Sequence, residues 1–181
     1  FVPINHLEGH VLSTSFNNEI IYPHLILLLT GGHTQIYLME NEKEIVLLGG
    51  SVDDAIGEAF DKVAKILGLG YPGGVEIEKM SQEGNENYFQ IPKPLIKEKN
   101  FNFSFSGIKT HINLLVKKSK LDDIFIKNLS ASFQKAITEI IISKILISLE
   151  LLHKKNIFIK SVSIVGGVSN NKYIKNELQN L

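Results

Sequence analysis

Two histidines stand four residues apart near the start of the chain, in the stretch NHLEGH at positions 5–10. Residues four apart share one face of a helix, so His6 and His10 could both ligate a single metal ion. Two imidazoles without a thiolate suit iron, zinc or nickel, and a third, harder ligand would normally complete such a site. Spacing alone leaves open the alternative that these are two unrelated surface histidines.

Zinc peptidases also separate two histidine ligands by three residues, but their general-base glutamate directly follows the first histidine. Here Leu7 occupies that position, and the acidic residue, Glu8, comes one residue later. At about 100° per helical residue, Glu8 points roughly 200° away from His6 and from His10, toward the opposite face. A carboxylate in that place cannot readily reach a metal-bound water, so the pattern disfavours peptidase chemistry.

Two glycine pairs could bring a phosphate or carboxylate close to the backbone. TGGHT at positions 30–34 separates two apolar runs and predicts a two-glycine hairpin, whose N–H groups a ligand can approach. IVGGVSNN at 164–171 places two glycines between a strand and a helix N-terminus, where a nucleotide can lie. The alternative for each pair is an ordinary turn with no ligand.

The stretch VDDAIGEAFDKVAKILG at 52–68 predicts an amphipathic helix. Asp53 and Asp54 suit its positive N-terminus, and Gly68 suits its end. On its polar face Asp61 could accept hydrogen bonds from ribose hydroxyls, or could be a solvated residue paired with Lys65. The apolar face comprises Ile56, Phe60, Val63, Ala64 and Leu67.

The remaining elements that must position these residues predict an α/β protein. EIVLLGG reads as a third strand, helices follow around 75–84, 106–120 and 121–156, and SVSIVGGV reads as a buried strand. A last helix begins after Ser169 or Asn170, either of which could cap it. The phenylalanines Phe101, Phe103 and Phe105 lie among lysines and could stack on bases or be buried in a solvated loop.

Composition excludes several classes of protein. The chain has 181 residues, no cysteine and a formal net charge of zero, so disulfides, thiolate sites and dedicated polyanion binding are not expected. Its longest apolar stretch is interrupted by Glu139, Lys144 and Glu150, which predicts a buried helix and no membrane span. The start of the chain does not resemble a secretion signal, so we expect a cytoplasmic protein, with an organelle as the alternative.

Taken in order, several stretches closely resemble the TsaD family of tRNA threonylcarbamoyladenosine synthesis proteins, once labelled O-sialoglycoprotein endopeptidases. The similarity runs across nearly all 181 residues, and the stretch from Asp53 to Gly74 is long enough to be specific. The stretches that carry it are NHLEGH, LLLTGGHTQIYL, VDDAIGEAFDKVAKILGLGYPGG, FNFSFSGIKT, ASFQKAI and IVGGVSNN.

The resemblance implies the two-lobed ASKHA fold of actin, Hsp70 and sugar kinases. Residues 1–24 would form the metal-binding helix and lobe boundary, and residues 25–181 the second lobe, truncated at its C-terminal side. The implied activity transfers a threonylcarbamoyl group from threonylcarbamoyl-adenylate to N6 of the adenosine 3′-adjacent to the anticodon, in tRNAs reading codons that begin with A. The implied partners are that adenylate, tRNA and accessory proteins, with no membrane.

The same resemblance implies roles for individual residues. His6 and His10 match two ligands of one divalent ion, with iron favoured over zinc. Asp61 and Gly74 match contacts to ribose and adenine, and Asn171 matches a further nucleotide contact. The loop that holds the acyl and phosphate portion of the substrate is matched by Leu28, Leu29, Thr30, Gly31 and Gly32.

Two segments of the family have no counterpart in these residues: the opening phosphate-binding hairpin and the late Asp-Asn-Gly stretch whose aspartate is the third metal ligand. We therefore expect a central fragment of a transferase that lacks full activity alone, because two imidazoles and water bind a metal weakly. The alternative is a non-catalytic nucleotide-binding or scaffold lobe. A metallopeptidase is the least favoured reading, because of the position of Glu8.

Overall fold

The computed structural model describes residues 20–181 and, before them, Gly9 and Leu12. Within this part of the chain, four strands form one mixed sheet in the order β3-β2-β1-β4. The first three strands pair antiparallel, and β4 pairs parallel with β1. The predicted hairpin and third strand are therefore confirmed. The strands are β1 (His24–Leu29), β2 (Thr34–Asn41), β3 (Glu44–Gly50) and β4 (Ser161–Val165).

Five α-helices and one 3₁₀ turn accompany the sheet in the described residues. The parallel pairing of β1 with β4 requires a long crossover, and the helices between β3 and β4 supply it. The α/β class predicted from the sequence is confirmed. The helices are α1 (Ile56–Ile66), α2 (Gly73–Ser81), α3 (Ser106–Lys118), α4 (Asp123–Lys154) and α5 (Lys172–Gln179), and the 3₁₀ turn is Gly167–Asn170.

The main hydrophobic core lies between the sheet and the helices. Strand β1 is buried along its whole length, as a central strand covered on both faces should be. The apolar face predicted for α1 is buried throughout, and its Phe60 ring meets Phe133 of α4 edge to face, with centroids 5.0 Å apart. Gly68, with φ of 70°, ends α1 as predicted.

The start of α1 differs from the prediction that Asp53 and Asp54 stabilise its N-terminus. The helix begins at Ile56, and the Ile56 N–H donates to Oγ1 of Thr34, at 2.8 Å, so a strand residue supplies the first cap. The Asp54 carboxylate instead accepts from Lys62 Nζ at 2.7 Å. The physical reason is that hydrogen bonds from the Ser51 and Ile56 N–H groups to Thr34 hold the segment between them against the hairpin, so that the helix begins only at Ile56.

Asp53 instead stabilises the N-terminus of a helix more than fifty residues away in sequence. Its carboxylate accepts from the N–H groups of Phe105 and Ser106, at 2.8 and 3.3 Å, and from the hydroxyls of Ser104 and Ser106. Partial burial alone would raise the pKa of Asp53, but these hydrogen bonds together hold it below its usual range. The ionised carboxylate therefore ties the β3–α1 connection to the start of α3.

We expect Asp53→Asn to lower the melting temperature at pH 7, because the neutral amide cannot accept from all four donors. A carboxylate with a lowered folded-state pKa contributes stability above its unfolded pKa of about 4, and this is lost as the pH falls through the folded value. The gap between variant and parent should therefore narrow on acidification below about pH 4. Glu42→Gln, in the exposed β2–β3 turn, is the matched control. A gap that stays constant with pH contradicts this role.

The structure also corrects two predictions near the end of the chain, the cap of α5 and the burial of β4. Helix α5 is capped by Asn171, whose Oδ1 accepts from the Ile174 N–H at 3.0 Å, and not by Ser169 or Asn170. Those two residues are the last two of the four-residue 3₁₀ turn that precedes the cap. Strand β4 is only partly buried, because it is an edge strand of the sheet among the described residues.

Two of the three phenylalanine rings in the lysine-rich segment before α3 are not available to a ligand, whereas Phe101 is partly buried. Phe103 and Phe105 have no exposed surface and stack on each other, which rules out the base-stacking alternative for both rings. The preceding residues lie along α4, where the fully buried Lys144 Nζ donates to the carbonyl oxygens of Glu98 and Asn100. Burial is the main reason that the pKa of Lys144 is lowered.

No helix between residues 20 and 181 is both long enough and apolar enough to cross a membrane.

Candidate functional site

The glycine hairpin forms one wall of the candidate site. The Thr30 N–H donates to the His33 carbonyl at 2.8 Å, and the His33 N–H donates to Thr30 Oγ1 at 2.9 Å. These two hydrogen bonds close the turn from inside, so Gly31 and Gly32 stand exposed at its tip. The backbone of this tip is therefore open to solvent, so a ligand could approach its N–H groups.

Helix α1 packs directly against that turn. The Gly57 N–H donates to the Thr30 carbonyl at 3.2 Å. A Cβ atom on Gly57 would lie 2.6 Å from Gly31 Cα and 2.8 Å from the Thr30 oxygen, closer than real Cβ atoms come. Only glycine fits here, and this close approach fixes the position of the hairpin tip relative to α1.

Asp61, one turn further along α1, holds the second wall. Its Oδ1 accepts from the Gly73 N–H at 2.8 Å, which places the first turn of α2 beside α1. The pairing with Lys65 that the sequence offered as the alternative role of Asp61 is not present among the described side chains, whereas Glu58 and Lys62 do pair, at 2.7 Å. Asp61 is thus a structural acceptor whose second carboxylate oxygen, Oδ2, has no hydrogen-bond partner within residues 20–181.

The third wall follows strand β4. Gly166 has φ of 102°, and a Cβ there would lie 2.3 Å from the Leu29 carbonyl, so the chain turns tightly past the end of β1. The following 3₁₀ turn leads into Asn171, whose Nδ2 donates to Gln134 Oε1 of α4 at 2.8 Å. Both ends of the buried Asn171 amide are therefore committed to protein partners.

These three walls enclose a cleft of about 450 Å³. It brings together four residues that the resemblance assigned to the substrate, although they come from four separate elements of the chain. Those residues are Gly31, Asp61, Gly74 and Asn171. Spacing along the chain carries no information about this convergence, which depends on the fold.

The other predicted substrate residues lie beside the cleft and do not line it. Leu28 and Leu29 belong to strand β1 and have no exposed surface, so only their backbone could affect a ligand. Thr30 uses its hydroxyl within the turn. Gly32 borders a separate hollow, which His33 and Asn102 also line.

Glu78 is a cleft residue that the sequence reasoning missed. Its Oε1 accepts from the Lys172 N–H at 2.8 Å, which ties α2 to the start of α5. Its other oxygen, like Oδ2 of Asp61, has no hydrogen-bond partner in the part of the chain that is described. The signal was present in the sequence, because Glu78 follows Gly74 by four residues and residues four apart share a helix face.

The cleft combines two free carboxylate oxygens, exposed glycine backbone and apolar surface. Phe60, Val75 and Val168 line its apolar part. A flat apolar ring could lie against them while adjacent hydroxyls donate to the carboxylates, and backbone N–H groups at a glycine turn could face a phosphate. A ribonucleotide carries these groups in one molecule.

The predicted metal ligands cannot be placed, because His6 and His10 both lie outside the described residues. Within residues 20–181 no group of three or more histidine, aspartate or glutamate side chains is arranged to hold a metal ion. One histidine in this range, His24, is buried. Its Nδ1 is hydrogen-bonded to Ser161 Oγ at 2.6 Å, where the serine accepts because its hydroxyl donates to the Ile21 carbonyl, and the pKa of His24 is lowered mainly by burial.

The family model and the curated relatives that match this chain carry the same description. A family model described as "TsaD: tRNA N6-adenosine threonylcarbamoyltransferase" matches residues 1–181. Proteins named tRNA N6-adenosine threonylcarbamoyltransferase are 45% identical in Thermosipho africanus, over 99% of this chain and 53% of the relative, and 48% identical in Thermosipho melanesiensis, over 96% and 51%. The relative of that name in Wolbachia pipientis is 40% identical, over 99% and 53%. The chain spans about half the length of these curated relatives.

Proposed function

Because the chain belongs to the TsaD family of tRNA N6-adenosine threonylcarbamoyltransferases, we propose that its cleft binds the nucleotide of threonylcarbamoyl-adenylate. The whole protein would transfer the threonylcarbamoyl group to N6 of the adenosine 3′-adjacent to the anticodon, in tRNAs reading codons that begin with A. The observation that carries the proposal is the convergence of Gly31, Asp61, Gly74 and Asn171 on one cleft of about 450 Å³. That volume is within the range of small-molecule sites.

In this proposal the ribose hydroxyls donate to the free oxygens of Asp61 and Glu78. The base lies beside Gly74, where a Cβ atom would meet nothing within 4 Å and a ligand therefore has room. The phosphate and acyl group extend to the hairpin tip at Gly31 and Gly32, with Thr30 bracing the turn and Leu28 and Leu29 contributing only through β1. Asn171 shapes the opposite wall, because its amide is already hydrogen-bonded within the protein.

The chemistry asked of these residues is acyl transfer. The N6 amine of the tRNA adenosine attacks the carbamoyl carbon, a C–N bond forms, the C–O bond to the adenylate phosphate breaks, and the amine loses a proton as AMP leaves. Backbone N–H groups at a glycine turn can stabilise the negative charge that develops on the carbonyl oxygen. No nucleophilic side chain is required, since the nucleophile belongs to the tRNA.

We further propose the finer assignments that the resemblance implies. Residues 25–181 would be the second lobe of an ASKHA-type fold and residues 1–24 its metal-binding boundary segment. His6 and His10 would hold one divalent ion, iron before zinc, which when bound would supply Lewis-acid polarisation of the substrate. Accessory proteins would deliver the adenylate and the tRNA. Because tRNA is the substrate, the protein would act in the cytoplasm or in an organelle that carries out translation.

The second candidate is a non-catalytic nucleotide-binding or scaffold lobe, since the cleft could bind a nucleotide without any transfer taking place. One experiment separates the two. The purified chain is titrated with AMP by calorimetry. A chimera of the Thermosipho africanus relative, in which this chain replaces the half that it matches, is incubated with threonylcarbamoyl-adenylate and unmodified tRNA, and the modified nucleoside is measured by mass spectrometry. The Thermosipho africanus relative is the positive control, and metal analysis of the parent and of His6→Ala tests the histidine pair.

Binding together with transfer supports the enzyme. Binding without transfer supports the nucleotide-binding lobe, and the absence of AMP binding contradicts the proposed site in either form.

A further inference from the structure

Tyr71 is an aromatic residue at the mouth of the cleft that the proposed function leaves without a role. Its side chain is 84% exposed, more than any other large apolar side chain among the described residues. Neither a ring contact nor a hydrogen bond joins it to another residue within 20–181. The ring borders the cleft and also a neighbouring hollow lined by Lys62 and Lys65. It is therefore a large apolar surface that the fold itself does not cover.

The backbone that carries this ring is nevertheless held in place. Tyr71 is followed by Pro72, whose ring restricts the chain, and then by Gly73, whose N–H donates to Asp61 Oδ1 at 2.8 Å. The position of the Tyr71 Cα is thus fixed relative to the residue that would receive the ribose. An aromatic ring that is exposed to solvent, on a backbone that is held in place, can stack against a flat ligand.

The distribution of polarity in the cleft shows which part of a nucleotide would lie nearest to Tyr71. The carboxylates of Asp61 and Glu78 mark the ribose end in the proposed function. Val75, which is 59% exposed, and Pro72 extend the apolar surface beside Tyr71, and Gly74 leaves open space between them. A sugar or phosphate gains little from such a surface, whereas a purine ring can cover it.

We propose that Tyr71 is a base-stacking residue that gives the cleft its preference for a purine nucleotide over the same sugar phosphate without a base. This inference rests on the proposed function, because it places the base relative to Asp61. Stacking on an aromatic side chain is typically worth enough to change affinity by roughly tenfold or more. The ring would also close the cleft toward the hollow lined by Lys62 and Lys65.

The test measures affinity of the 181-residue chain for AMP and for ribose 5-phosphate by calorimetry, in the parent and in three variants of Tyr71. Tyr71→Ala and Tyr71→Leu should reduce the preference for AMP by roughly tenfold, with affinity for ribose 5-phosphate changed little. Tyr71→Phe keeps the ring and should keep the preference. The chain has five tyrosines and no tryptophan, so the Tyr71 ring resonances can be assigned, and AMP alone should shift them upfield.

Each outcome separates this inference from the proposal on which it rests. If Asp61→Asn weakens AMP binding but Tyr71→Ala leaves the AMP preference intact, the stacking role is overturned and the nucleotide site stands. If Tyr71→Ala weakens AMP and ribose 5-phosphate equally, Tyr71 only braces the turn, and the inference is also overturned. If the parent chain binds neither compound, both the site and the stacking role fall.

Discussion

Asp61→Asn is expected to weaken AMP binding by roughly 10- to 100-fold while changing the melting temperature little. The asparagine oxygen can still accept from the Gly73 N–H, so the turn before α2 stays in place. The second carboxylate oxygen becomes an NH₂ donor, which faces ribose hydroxyls that need an acceptor. A hydrogen bond to a charged group is worth about 1.5–3 kcal/mol, and about 1.4 kcal/mol corresponds to tenfold in affinity.

Two matched variants make this result specific. Asp61→Ala removes both roles and should lower stability as well as affinity, because the Gly73 N–H loses its partner. Glu58→Gln, on the same helix, changes a carboxylate that pairs with Lys62 and does not line the cleft, so AMP affinity should be unchanged. If the parent and Asp61→Asn bind AMP with equal affinity, Asp61 does not bind the ribose and its role is purely structural.

Gly57→Ala should both destabilise the protein and weaken AMP binding, although alanine is the better helix former. Helix propensity favours alanine by about 1 kcal/mol. Against this, the new Cβ would lie 2.6 Å from Gly31 Cα and 2.8 Å from the Thr30 carbonyl oxygen, both backbone atoms that cannot rotate away. Overpacking of this kind costs about 1–3 kcal/mol, so we expect a net loss in the free energy of unfolding, measured by urea titration.

The affinity loss in Gly57→Ala follows from displacement of the hairpin tip that the helix supports. Gly74→Ala is the matched control for the stability measurement, since a Cβ there meets nothing within 4 Å. That variant should keep or slightly raise stability while weakening AMP binding, because its methyl group enters the space left for the ligand. If Gly57→Ala is as stable as the parent and binds AMP equally well, the hairpin and α1 are not coupled as described.

Local patterns predicted the elements well, because their signals lie within one segment of chain. The two-glycine hairpin and the buried face of α1 follow from alternation, turn chemistry and helical periodicity. The role of Asp53 could not be predicted in this way. Its partners, Ser104 to Ser106, are more than fifty residues away, so the nearby helix looked like the one it would stabilise.

The site was only partly visible from the sequence for a similar reason. Asp61, Gly74 and Asn171 were assigned by resemblance, but nothing in their spacing shows that they meet. Leu28 and Leu29 belong to the same motif as Gly31, yet strand pairing buries them and excludes their side chains from the cleft. Tyr71 becomes a candidate only through the three-dimensional arrangement, whereas the four-residue spacing of Gly74 and Glu78 was already present in the sequence.

The most direct test of the central claim is the amide spectrum of the isotopically labelled chain, recorded by NMR during titration with AMP. We expect the shifted amides to cluster at Gly31, Asp61, Gly74 and Gly167, which surround the cleft. Amides around the separate hollow between Glu86 and Glu139 should stay unchanged. A spectrum that does not respond, or a response centred on that second hollow, would contradict the assignment of the cleft as a nucleotide site.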